Sequence, residues 1–235
     1  MHTENQSISR VIKYCDLGFI DYDKAWRLQK AIFDKRLKGE IEDIFLLLEH
    51  PNTYTLGKVA KREHLVGSED YLKENNFSVY DIDRGGDITY HGPGQIVGYP
   101  IINLTDWKQD THLYLRSLEE TIIQTCREYG LETGRKEEYT GVWIEERKIA
   151  AIGIKVSRWI TMHGFAFNIN TNLDFFNGII PCGIKDKEVT SLQREFKRIF
   201  EISEVKSLLL KHFAEIFRYD VIQRTDAEDL LKLIP

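Results

Sequence analysis

The stretch Arg84-Gly85-Gly86-Asp87-Ile88-Thr89-Tyr90-His91-Gly92-Pro93-Gly94-Gln95 constrains this chain more than any other. It follows a strand-like segment at residues 77–82 and precedes the apolar run 96–104. With so much glycine, backbone amides can approach a ligand that a Cβ would keep away. The spacing is not that of a phosphate loop: no Gly-Lys-Ser/Thr opens a helix, and no helix begins inside the glycines. Residues 95–100 read instead as a further strand, so the stretch is a loop between two strands. Glycine and proline in that setting also suit a plain wide turn. Arg84, Thr89 and His91 within it favour a loop that holds something.

At 235 residues the chain can bury a sizeable core within one large domain. Its 42% hydrophobic and 29% charged residues are the balance of a soluble globular protein. A formal net charge of −5 argues against a general nucleic-acid binder, which needs a basic face. Residues 1–10 are polar, and apolar runs such as 44–48 are too short to cross a bilayer, which points to the cytoplasm and to no membrane partner. The cysteines are far apart without a C-x-x-C pair, and the histidines include no H-E-x-x-H. Neither a disulfide scaffold nor a metal site is expected.

Along the chain, residues 11–17 read as a strand. Asp21 is placed to cap a helix with the stripe Tyr22, Ala25, Trp26, Gln29, Ile32, Phe33 and Leu37, ended by Gly39. Residues 44–48 suit a strand buried on both faces, broken by His50-Pro51-Asn52. A helix over 113–129 runs through Leu115, Leu118, Ile122, Cys126 and Tyr129 and stops at Gly130. Residues 141–144 and 148–156 are two strands joined by a tight turn. In the next strand, 163–169, Phe165, Phe167 and Ile169 share one face, and Gly164, Ala166 and Asn168 the other. An amphipathic helix over 201–218 turns Ile202, Val205, Leu209, Phe213 and Ile216 inward, and a short helix ends the chain. Strands and helices without regular βαβ alternation indicate an α+β fold.

Cys126 falls on an apolar helix stripe and Cys15 within a strand, so both read as structural thiols. Cys182, between Pro181 and Gly183, belongs to no helix or strand face; it is a turn cysteine or a nucleophile. A thiol of ordinary pKa, ~8.5, is only a few per cent thiolate at pH 7 and needs a base or a cation beside it. Two lysines compete for that part. Simple alternation puts Lys148 on the face of Ala150, Ile152 and Ile154, and Lys155 with Ala151 and Gly153, and spacing does not choose between them. The small residues Ala151, Gly153, Gly164 and Ala166 either leave a slot for an acyl chain or allow close packing.

Arg-Gly-Gly, two variable residues, Thr, an aromatic residue and His-Gly-Pro-Gly-Gln form the signature of the lipoyl(octanoyl) transferases, and residues 84–95 closely resemble it. The resemblance extends over most of the chain. It takes in Asp16-Leu17-Gly18, Tyr22, Ala25-Trp26, Glu49-His50-Pro51 and Thr55-Leu56-Gly57, then Lys148-Ile149-Ala150-Ala151-Ile152-Gly153, His163-Gly164-Phe165-Ala166, Pro181-Cys182-Gly183-Ile184 and Val189-Thr190-Ser191-Leu192. It implies a mixed β-sheet flanked by helices, similar to the biotin and lipoate protein ligase catalytic domain, with residues 1–235 as a single catalytic domain. It also implies Cys182 as nucleophile and Lys148 as its base, leaving Lys155 as the control. The substrate-binding residues it implies are Arg84, Gly85, Gly86, Asp87, Ile88, Thr89, Tyr90, His91, Ala151, Ile152, Gly153, Gly164, Phe165 and Ala166.

The activity implied is transfer of octanoyl from acyl carrier protein to the target lysine of lipoyl domains, those of 2-oxoacid dehydrogenase complexes and the glycine cleavage H protein. It proceeds through a cysteine thioester and without a cofactor. His91 orients Lys148 or the substrate carbonyl, or else braces the loop. The rival readings are an ATP-dependent lipoate ligase on the same fold, an amidotransferase moving octanoyl between lipoyl domains, and a silent acyl-binding protein.

Overall fold

The computed structural model describes residues 9–180 and 188–234. In chain order its elements are β1 (Val11–Phe19), α1 (Tyr22–Leu37), β2 (Asp43–Glu49), β3 (Thr53–Leu56), α2 (Glu69–Glu74), β4 (Ser78–Asp81), β5 (Ile88–His91), β6 (Gln95–Ile101), α3 (Thr111–Glu128), β7 (Val142–Ile144), β8 (Arg147–Ser157), β9 (Ile160–Asn168), β10 (Glu188–Val189), α4 (Leu192–Phe196), α5 (Ile202–Phe217), β11 (Val221–Arg224) and α6 (Ala227–Leu231). The large sheet runs β10-β8-β9-β6-β2-β1-β11, with β7 also paired to β8; a small sheet runs β4-β3-β5. The large sheet is mixed: β2, β6, β9 and β8 are antiparallel neighbours, whereas β1–β2, β1–β11 and β8–β10 are parallel.

The continuous apolar run in β2 is explained by its central place, because both faces of the sheet are covered. Phe45 and Leu47 enter a core shared with α3 and α5; Ile44, Leu46 and Leu48 enter a second core under α1. The inward stripe of α5 is as its period foretells, with Val205, Leu209 and Phe213 fully buried. Phe213 sits at the centre of its core, stacked 4.4 Å from Phe45 and 4.3 Å from Phe217 between ring centroids. A third, smaller core under the small sheet gathers Tyr54, Leu56, Ile88, Tyr90 and Ile179. Among the described residues, no helix is long and apolar enough to cross a membrane.

Three features depart from the sequence reading. The glycine-rich stretch is not loop throughout: its residues Ile88–His91 are β5, paired antiparallel with β3. Asp21 occupies the N-cap position of α1, yet its side chain makes no capping hydrogen bond. The short strands β3, β10 and β11 carry too few residues to display a period, and only their partners define them.

The polypeptide passes from the large sheet to the small one between His50 and Thr53, and aromatic side chains fill this joint. His50 Nδ1 lies 2.7 Å from the Ile20 carbonyl and must donate to it, so Nε2 accepts the Tyr99 hydroxyl at 2.9 Å. The ring of Tyr22 sits 5.0 Å from that of His50 and 5.9 Å from that of His91. Burial pushes the His50 pKa down to about 4, that of His91 well below the ordinary histidine value, and that of His163 in the same direction.

Two outcomes are expected of this arrangement. Phe213→Ala, which empties the centre of the α5 core, should cost about 3–5 kcal/mol in urea unfolding; a loss well under 1 kcal/mol would mean the core collapses around the gap. The second concerns acid. The unfolded chain takes up histidine protons below pH ~6.5, whereas the native state declines them, so stability is full above that value and falls as the pH drops towards 4. Each such histidine adds up to about 1.4 kcal/mol per pH unit to the slope. Urea midpoints measured from pH 7 to 4 should decline, and His50→Gln should flatten the decline; an unaltered slope in that variant would show that His50 is protonated in the fold.

Candidate active site

A cavity of about 370 Å³ lies between the face of the large sheet that carries α1 and the small sheet with its glycine-rich stretch. That size falls within the ~300–1,000 Å³ common for small-molecule sites. Its floor is built from rows across neighbouring strands. Ala166 of β9 and Ala151 of β8 stand side by side, and Gly153 pairs with Gly164 one step further along. In the other direction, Gln95 pairs with Asn168.

A β-bulge brings Lys148 to this face of the sheet. The β7–β8 register slips between Val142, opposite Ala150, and Trp143, opposite Lys148, leaving Ile149 as the extra residue. Ile149 and Ala150 therefore both enter the α5 core, and Ile152, Ile154 and Val156 pack against it in turn. Lys148 falls on the opposite face, with Ala151 and Gly153. This corrects the simple alternation of the sequence reading, which set Lys148 with Ala150. Lys148 Nζ lies 4.7 Å from the centre of the Trp143 ring. Gly141 is held to glycine by the strand beside it: a Cβ there would stand 2.5 Å from the Ala150 carbonyl, whereas the Lys148 stem, 3.4 Å away, would be in ordinary contact. Lys155 also lies on the cavity's face of the sheet, but its Nζ is 2.6 Å from Asp83 Oδ2. Asp83 accepts a second bond at 2.9 Å from His163 Nε2, and that hydrogen bond, with the lysine, holds its carboxyl below the usual range.

The glycine-rich stretch is held by its own arginine. The buried Arg84 guanidinium donates to the Thr55 carbonyl at 2.7 Å, to Thr55 Oγ1 at 2.9 Å and to the Gly85 carbonyl at 3.0 Å. Gly85 N–H donates to the Ile154 carbonyl at 2.9 Å, which ties the stretch to β8. A Cβ on Gly153 would lie 2.9 Å from both Arg84 Cδ and the Gly85 carbonyl, so this glycine serves close packing. Gly164 does likewise, its Cβ position being 2.2 Å from the Gly98 carbonyl. Of the small residues, Ala151 and Ala166 are left to form the slot.

A polar chain crosses the site from this arginine. Gln95 spends its amide hydrogens on the Tyr90 carbonyl at 3.1 Å and Asn168 Oδ1 at 3.0 Å, so its oxygen accepts from His91 Nδ1–H at 3.0 Å. His91 Nε2 faces Thr55 Oγ1 at 3.4 Å. Asn168 Nδ2 then donates to the Thr190 carbonyl at 3.0 Å, and Thr190 N–H to the Lys148 carbonyl at 2.9 Å. The ring nitrogens of His91 thus face Gln95 and Thr55.

Of the residues expected to bind substrate, the structure brings Arg84 to Thr89, His91, Ala151 to Gly153 and Gly164 to Ala166 to the cavity wall. Tyr90 points the other way, as alternation along β5 requires: its ring joins the third core and its hydroxyl donates to Asn52 Oδ1 at 2.9 Å. Cys182 lies outside the described residues. On the near side of that segment, Ile180 N–H donates to the His64 carbonyl at 2.8 Å; on the far side, Val189 lines the cavity. Tyr22, Gln95, Tyr99, His163 and Asn168 also line it. The sequence pattern places Tyr22 on a helix stripe and Asn168 on one strand face with Gly164 and Ala166, and assigns neither to a site. Cys15 and Cys126 are buried, and burial raises their pKa values to about 11 and about 12. Among the described residues, no group of three His, Cys, Asp or Glu side chains is arranged to hold a metal.

Known proteins resemble this chain in sequence and in fold. Residues 21–214 match the lipoyl protein ligase A/B catalytic domain. An octanoyltransferase of Christiangramia forsetii is 47% identical over 231 residues, covering 91% of this chain and 99% of that protein. One of Caldicellulosiruptor saccharolyticus is 43% identical over 226 residues, covering 94% and 96%. Among solved structures, lipoate-protein ligase A bound with ATP superposes with a TM-score of 0.74 at 17% identity, covering 96% of this chain and 93% of its own. A biotin protein ligase from Aquifex aeolicus with biotin and ATP reaches 0.51 at 13% identity, over 90% and 71%. The ligases share the mixed sheet flanked by helices, and the sequence relatives go further: the chain belongs to the lipoyl(octanoyl) transferase family.

Proposed function

We propose that this protein moves an octanoyl group from octanoyl-acyl carrier protein to the target lysine of lipoyl domains through a thioester on Cys182, with Lys148 as the proton carrier. The whole chain acts as one catalytic domain in the cytoplasm, and the acceptors are the lipoyl domains of 2-oxoacid dehydrogenase complexes and the glycine cleavage H protein. The observation that supports this best is the bulge-directed Lys148, at the end of an alanine-floored cavity and hydrogen-bonded through its carbonyl to Thr190, just beyond the segment that holds Cys182.

The chemistry is two acyl exchanges. Cys182 loses its proton to Lys148 and its sulfur attacks the thioester carbonyl; the bond to the carrier's sulfur breaks, and that thiol leaves with the proton. The acceptor lysine then attacks the new thioester, the bond to Cys182 breaks, and the proton shed by the amine returns to the cysteine by way of Lys148. In water a lysine amine lies about two pKa units above a thiol, so a shared proton favours nitrogen by roughly 2.6 kcal/mol before burial acts. Exchange of thioesters is nearly isoenergetic, and formation of the amide carries the sequence forward. ATP has no part in it.

Arg84 to His91, Ala151 to Gly153 and Gly164 to Ala166 form the substrate surface in this reading. Tyr90 contributes from behind, by holding the strand that carries Thr89 and His91.

Intact-protein mass spectrometry after mixing with octanoyl-acyl carrier protein, without ATP, should detect one octanoyl adduct that maps to Cys182 and moves to an added apo lipoyl domain. Cys182→Ala should abolish the adduct. Lys148→Ala should slow its formation by about 10²–10⁴-fold, whereas Lys155→Arg, which keeps the ion pair with Asp83, should leave the rate near that of wild type. Modification of the domain only with ATP and free octanoate would replace this reading with that of a ligase. Octanoyl taken only from an already modified domain would replace it with that of an amidotransferase.

A further inference from the structure

The rows of the cavity floor also define where it ends. From Asn168 to Gly164 along β9, and from Gln95 to Tyr99 along β6, are four residues of strand, about 13 Å. Lys148 stands at the first end. At the second, the Arg84 stem lies across Gly153, and the Tyr99 and Tyr22 rings stand beside it in the cavity wall. Between the ends the floor is Ala151 and Ala166.

We infer that Arg84, Tyr22 and Tyr99 form a stop at the far end of this slot and limit the acyl group to about eight carbons. The inference rests on the acyl transfer proposed above and adds the residues that set chain length. An extended octanoyl chain, with seven C–C bonds, spans about 9 Å, and a dodecanoyl chain about 14 Å. The first fits between Lys148 and the stop with van der Waals clearance at each end, and the second does not.

The stop cannot yield cheaply. Tyr99 donates to His50, which is itself locked by the Ile20 carbonyl, and Arg84 is held by Thr55 and Gly85. Pushing either aside strands buried polar atoms without partners. Tyr22, the first residue of α1, is held by the rings of His50, Tyr80 and His91 around it.

The test is single-turnover acylation by hexanoyl-, octanoyl- and dodecanoyl-acyl carrier protein. Wild type should strongly prefer octanoyl to dodecanoyl. Tyr22→Ala should raise the dodecanoyl-to-octanoyl rate ratio by about tenfold or more, and Ala151→Leu should raise the hexanoyl-to-octanoyl ratio by a similar factor. Ratios unchanged in folded variants, or a uniform loss at all lengths in Ala151→Leu, would overturn the stop. So would a wild type that takes dodecanoyl as fast as octanoyl, an outcome that needs no variant to fold. Each of these leaves octanoyl transfer itself intact, whereas no acylation at any length would remove the transfer reading and the stop together.

Discussion

A buried guanidinium joins the two sheets of this protein. Arg84 reaches from the glycine-rich stretch to Thr55 in the small sheet while its stem covers Gly153 in the large one. A charge so far from water is tolerable only where carbonyl and hydroxyl oxygens replace its hydration. Those oxygens belong to Thr55 of the small sheet and to Gly85, whose own N–H bonds to the Ile154 carbonyl of the large sheet. The arginine therefore fixes the stretch to the small sheet, and the bond from Gly85 to Ile154 ties it to the large one. Gly57 follows from this geometry, since a Cβ there would lie 2.3 Å from the Gly86 carbonyl and 2.8 Å from the Arg84 guanidinium.

The bulge at Ile149 does for the lysine what the arginine does for the wall. A regular strand would have turned Lys148 towards the α5 core, where an ammonium group has no partner and no water. One additional residue sends Ile149 and Ala150 there instead and leaves the lysine above Trp143. Burying two consecutive apolar residues is favourable in itself, so the orientation of the lysine is secured by ordinary core packing. The parallel pairing of β10 beside Lys148 then anchors the return of the chain after residue 187.

The histidines around the site are neutral. His50, His91 and His163 are kept uncharged by burial, and each is oriented by a partner of defined donor or acceptor character: the Ile20 carbonyl, the Gln95 side chain and Asp83. Uncharged rings at the joint spare the desolvation that charged ones would demand, while their hydrogen bonds keep them from moving. His163 holds a left-handed backbone conformation, φ +60°, within β9, with its N–H donated to Gln29 Oε1 at 2.9 Å. That combination turns its ring to Asp83, at the start of the glycine-rich stretch.

Local pattern alone was enough to read much of this chain. The buried run of β2, the inward stripe of α5 and the face of Phe165, Phe167 and Ile169 follow from hydrophobic period, and the motif at residues 84–95 marks the family. Period failed where it had too few residues to act on, as in β3, β10 and β11, and where a strand hid between glycines, as in β5. It also failed at Ile149, because a bulge is a mismatch between two strands and is written in neither of them. Which face Lys148 takes, why Gly153 must be glycine and how Tyr22 comes to meet Tyr99 were decided only by tertiary packing. Each depends on atoms far apart in sequence competing for the same few ångströms of space.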